Sequence, residues 1–124
     1  MKKTLKALAL VGTTFFAGSA LATQVVCDVY AKGSGNSWGN GTANCSALDF
    51  TFGNSTSGKF YLKNISKPVK KVLWDSNTNC SGTATSCSVR VRAYGSQWAT
   101  ATVLYQDGTY EELNTARMFY ETGH

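Results

Sequence analysis

Cys27, Cys45, Cys80 and Cys87 are the side chains with the most chemistry to offer, and their spacing narrows what that chemistry is. A zinc site would want paired thiolates a few residues apart. There is no C-x-x-C pair, and the six residues between Cys80 and Cys87 make a poor spacing for metal ligands. No metal site is therefore expected, and two disulfides are expected instead. Four cysteines allow three pairings, and spacing alone does not choose among them. Cys80 and Cys87 enclose Ser81 to Ser86, a segment of small residues suited to the tip of a hairpin. Cys27 and Cys45 would then join the first two strands. Each bridge would contribute about 2–4 kcal/mol by restricting the unfolded chain.

Catalysis finds little support. The one histidine, His124, is the last residue of the sequence, and a general base must be held in place. Glu111 and Glu112 are adjacent, so on a strand they point to opposite faces and cannot form a facing carboxylate pair. Asp28, Asp49, Asp75 and Asp107 are scattered. No catalytic residues, no cofactor and no enzyme activity are expected.

Binding is the better expectation. A hairpin from Ser88 to Tyr105 would carry Arg90, Arg92, Tyr94 and Trp98 on one outward face, with Thr100 and Thr102 beside them. Arg, Tyr and Trp supply most of the energy at protein interfaces, and aromatic planes also stack on sugar rings. The plainer alternative is a solvated sheet face, with Tyr94 and Trp98 a cross-strand aromatic pair. Trp38 lies in a Gly-rich loop, either as a second ligand contact or as a plug folded back on the core, whereas Trp74 ends an apolar strand and suits the core. Two further function classes stay open. A bridged 80–87 loop could insert into a secreted hydrolase as an inhibitor, since a rigid loop loses less entropy on binding. Alternatively, the chain could be a structural or assembly subunit of the cell envelope that associates through strand edges.

The charge balance points the same way once the N-terminus is considered. The 124 residues carry a formal charge of +5. Met1 to Ala22 has a basic start (Lys2, Lys3, Lys6), a short apolar run and Ala20-Leu21-Ala22. That is the pattern of a cleaved secretory signal, and the run is too short and too interrupted for a transmembrane span. Cleavage after Ala22 would leave 102 residues with nine basic and seven acidic side chains, a net +2. A nucleic-acid partner is not expected at that charge, nor is a transmembrane segment. The expected product is a secreted or periplasmic bacterial protein of unassigned oligomeric state, with a protein or polysaccharide ligand.

Residues 23–124 read as one domain of short alternating runs. Gln24 to Ala31 sets Val25, Cys27 and Val29 on one side. Ala47 to Phe52 is expected to point Leu48, Phe50 and Phe52 inward, with Asp49 and Thr51 outward. Gly53 to Gly58 is expected to turn, and Lys59 to Lys63 to place Phe60 and Leu62 inside. Pro68 opens a strand at Val69 to Trp74. Ser88 to Tyr94 and Trp98 to Tyr105 are expected to pair around Gly95-Ser96-Gln97. Asp107-Gly108 suits a second hairpin turn. Thr109 to Glu121 buries no single parity of Leu113, Ala116 and Met118, so a bulge or sheet switch is expected near Asn114. About seven strands in about 100 residues suggest an all-β, immunoglobulin-like antiparallel sandwich with two disulfides. A small open β-barrel is the alternative.

Overall fold

The structure, a computed structural model, describes residues 22–80 and 82–123. The expected signal segment, apart from Ala22, lies outside the described residues, as do Ser81 and His124. Among the described residues nine strands follow in chain order: β1 (Gln24–Val29), β2 (Asn36–Trp38), β3 (Asn44–Asp49), β4 (Ser55–Lys63), β5 (Val69–Ser76), β6 (Ser86–Arg92), β7 (Ser96–Tyr105), β8 (Tyr110–Glu112) and β9 (Ala116–Thr122). They form two sheets. The larger has the order β2-β3-β9-β7-β5, with β8 also on β7; the smaller has the order β1-β4-β6. The expected β-sandwich is therefore present, and the chain does not close into a barrel. One pairing departs from an antiparallel scheme: β9 runs parallel to β3.

The core lies between the sheets. Val25, Cys27, Val29, Phe60, Leu62, Val89 and Val91 come from the small sheet, facing Val72, Val103, Tyr105, Met118 and Tyr120 from the large one. Burying a side chain of this size stabilises by roughly 1.5–3 kcal/mol, so the period-2 alternation of these strands is what holds the layers together. The disulfides follow the expected pairing. Cys27–Cys45 ties β1 to β3 across the sandwich, and Cys80–Cys87 staples the loop after β5 to β6.

The Ser88–Tyr105 hairpin is not formed. β6 pairs with β4, while β7 pairs with β9 and β5. The reason lies in two consecutive amides. Ala93 N–H donates to Asn54 C=O at 2.9 Å, extending the small sheet, whereas Tyr94 N–H donates to Tyr120 C=O at 2.7 Å, in the large one. Tyr94 sits at φ 62°, a left-handed turn that sends the chain across the sandwich.

Two other expectations are corrected. Phe50 and Phe52 are exposed, and β3 instead buries Cys45, Ala47 and Asp49. The parity is inverted because Cys45 must face Cys27, and because Asp49 finds donors inside. Its carboxylate accepts from Lys32 N–H at 2.9 Å, Thr51 N–H at 3.1 Å, Thr51 Oγ1–H at 2.7 Å and Tyr120 O–H at 3.0 Å. The second correction is at Gly58, which is not in a turn but buried within β4. A Cβ there would meet Asp28 O at 2.8 Å and Met118 Sδ at 3.0 Å, so glycine allows the sheets to approach.

The expected turn near the C-terminus is present, and in place of the expected bulge or sheet switch near Asn114 the chain is interrupted between two strands that both pair with β7. Asp107-Gly108 turns between β7 and β8, with Gly108 at φ 88°. Leu113 to Thr115 then interrupts the edge before β9 begins.

Candidate functional site

The sheet crossing at Tyr94 divides the expected binding face. Arg90 and Arg92 stand on the outer side of the small sheet, and Arg90 Nη1–H donates to Ser55 Oγ at 3.0 Å. Trp98 stands on the outer side of the large sheet, half-buried. Tyr94 belongs to neither face. Its hydroxyl donates to Thr122 C=O in β9, so the side chain anchors the crossing. Arg90, Arg92, Tyr94 and Trp98 are therefore not one surface.

Trp38 and Trp98 do share a face, and β9 supplies what lies between them. Pairing places Trp38, Ser46, Phe119 and Ser96 in one row across β2, β3, β9 and β7. The next row sets Asn44, Arg117 and Trp98 side by side. Paired residues share a face, so all of these point outward. Trp38 is 53% exposed and Phe119 37%. They stand two strands apart, roughly 10 Å, with only the small Ser46 between them. Trp98 lies diagonally next to Phe119, within reach of an aromatic side chain. A depression of about 240 Å³ is lined by Asn44, Ser46, Ser96, Arg117 and Phe119.

Arg117, Phe119, Asn44 and Ser46 were not singled out from the sequence. The signal was present in β9, where Ala116, Met118, Tyr120 and Thr122 are buried and Arg117, Phe119 and Glu121 are not. It is masked when Leu113, which precedes the break, is counted with that strand.

The remaining candidates separate as well. Trp74 packs against the core, and its Nε1–H donates to Ala84 C=O at 2.9 Å. Together with Leu62 N–H donating to Thr85 C=O at 2.9 Å, it holds down one leg of the 80–87 loop. The lysines are spread over both sheets. Lys59 and Lys63 lie on the small sheet and Lys70 and Lys71 on the large one, while Lys67 pairs with Asp107 at 3.1 Å.

Among the described residues no group of three His, Cys, Asp or Glu side chains could hold a metal ion. No helix among them is long and apolar enough to cross a membrane. Two disulfides are compatible with an extracytoplasmic location. In comparisons with protein-family models, with curated proteins and with solved structures, the chain matches none.

Proposed function

We propose that this chain is an exported, non-catalytic binding module that recognises a polysaccharide through the outer face of its large sheet. The observation that supports this reading is the row in which Trp38 and Phe119 flank Ser46, with Arg117 and Trp98 in the next row. Two aromatic platforms separated by a small residue offer successive stacking surfaces to an extended sugar chain. Asn44, Ser46, Ser96 and Arg117 supply donors and acceptors for its hydroxyls. An obligate protein interface would be expected to hold a more continuous apolar centre.

The inhibitor alternative is weaker on chemical grounds. Ser81, Gly82, Thr83, Ala84 and Thr85 offer no side chain large enough to fill a specificity pocket. A glycan array with the full chain tests the proposal. Binding is expected to quench Trp fluorescence and to be lost in W38A and F119A. A protein ligand whose affinity these variants leave unchanged would overturn it.

A further inference from the structure

We propose that the free edge of β6 receives an extended, acidic segment of a partner polypeptide, which adds to the small sheet as a fourth strand. The edge can be located from the ladder. Leu62 N–H donates to Thr85 C=O and Ala93 N–H to Asn54 C=O, and the register between these bonds is unbroken. Cys87, Val89 and Val91 therefore bond to β4, while the N–H and C=O groups of Ser88 and Arg90 point away from it. Among the described residues nothing pairs with them. A groove of about 360 Å³ opens beside this edge, walled by Asn77, Thr78, Asn79 and Gln97 and flanked by Arg90 and Arg92. Gln97 is 9% exposed, and its Oε1, like Thr78 Oγ1, is buried without a hydrogen-bond partner among the described residues.

The other edges are blunted. The edge of β1 is covered by Asn40, Gly41, Thr42 and Asn114. β2 and β8 are each three residues long. β5 carries Lys70 and Lys71 and a register shift between Val69 and Lys71. β6 is seven residues long with an unbroken register, and the Arg90 guanidinium reaches across its own sheet to Ser55 rather than over the edge.

Charge chooses the occupant. No carboxylate among the described residues lines the groove. A second copy pairing antiparallel in the register centred on Arg90 would set Arg90 against Arg90, and like charges directly opposite are destabilising. A strand bearing Glu or Asp at those positions meets Arg90 and Arg92 favourably. Repeating backbone donors and acceptors at strand spacing fit a polypeptide rather than a sugar.

The test uses the ¹⁵N-labelled full chain and three probes: the capped peptide Thr-Glu-Thr-Glu-Thr-Glu, its Lys counterpart, and oligogalacturonate. The acidic peptide is expected to shift the Ser88 and Arg90 amide resonances saturably. The R90E/R92E variant is expected to lose roughly tenfold or more in affinity and to prefer the Lys peptide. S88P removes one outward N–H without touching the β4 ladder, and it is expected to abolish binding while the chain keeps its fold by circular dichroism. No saturable shift at millimolar peptide would overturn the proposal, as would indifference to charge reversal, oligogalacturonate binding at those amides, or a β6-mediated dimer.

Discussion

The Asn114 side chain forms two hydrogen bonds with the backbone of Val25. Its Oδ1 accepts from Val25 N–H at 2.9 Å, and its Nδ2–H donates to Val25 C=O at 2.9 Å. Two strand positions further along, Cys27 N–H donates to Thr42 C=O and Gly41 N–H to Cys27 C=O, both at 2.9 Å. Two further on, Asn40 repeats the amide arrangement on Val29, at 3.0 Å and 3.2 Å. Side chains and a short loop thus stand in for a missing neighbour strand, and they occupy an edge that would otherwise invite aggregation.

The first prediction concerns this edge. N114A leaves the donor and acceptor of Val25, a fully buried residue, unpaired. The expected cost is about 1–3 kcal/mol, read by urea denaturation. N40A is expected to act in the same direction. The double variant is expected to scatter light on mild heating, and an unchanged denaturation midpoint for both single variants would refute the edge-cover role.

The second concerns acid. Burial alone raises the pKa of Asp49. The hydrogen bonds from Thr51, the Lys32 backbone and Tyr120 outweigh it and hold the carboxyl at about 2, below its ordinary 3.8. A carboxylate held low stabilises the fold above its unfolded value, and the contribution fades as pH falls from about 4 toward 2. The gap corresponds to roughly 2 kcal/mol. D49N is expected to be less stable at neutral pH and to lose most of this acid dependence in pH-stepped denaturation. Asp107 is also held at about 2, by hydrogen bonds from Thr109 and Lys67. Its side chain is about half exposed, and it remains in D49N, which separates the two.

A third prediction sorts the disulfides. Cys27–Cys45 spans 18 residues and joins the sheets, whereas Cys80–Cys87 spans 7. Loop-closure entropy gives roughly 3 kcal/mol for the first and roughly 2 for the second. C27A/C45A is therefore expected to melt below C80A/C87A, and the reverse order in calorimetry would contradict this.

A fourth distinguishes anchoring from binding. Y94F removes the hydroxyl that meets Thr122 C=O, so it is expected to cost about 1 kcal/mol and leave glycan affinity unchanged. R117A is expected to do the opposite, weakening the glycan and sparing the melting temperature. Affinity lost in Y94F at unchanged stability would place Tyr94 back on the binding face.

Much of the local structure was legible in the sequence. Alternation marked β1, the second half of β4 and β7, because a strand with one dry face repeats every two residues whatever its partner. Asp107-Gly108 marked a turn, the interrupted parity near Asn114 marked a break, and the cysteine count marked two bridges. What alternation does not carry is which sheet a strand joins. Both layers of a sandwich bury their inner faces, so β6 reads the same whether it pairs with β7 or β4. Left-handed Tyr94 and the amide partners Asn54 and Tyr120 decide that. The inversion at Asp49 is of the same kind. A carboxylate belongs outside until Tyr120, 71 residues away, offers its hydroxyl. The candidate site followed those pairings. Trp38 and Trp98 were visible as residue types, but only the parallel insertion of β9 between β3 and β7 put Arg117 and Phe119 between them. Long-range pairing is a property of the whole packed chain, and no window of sequence contains it.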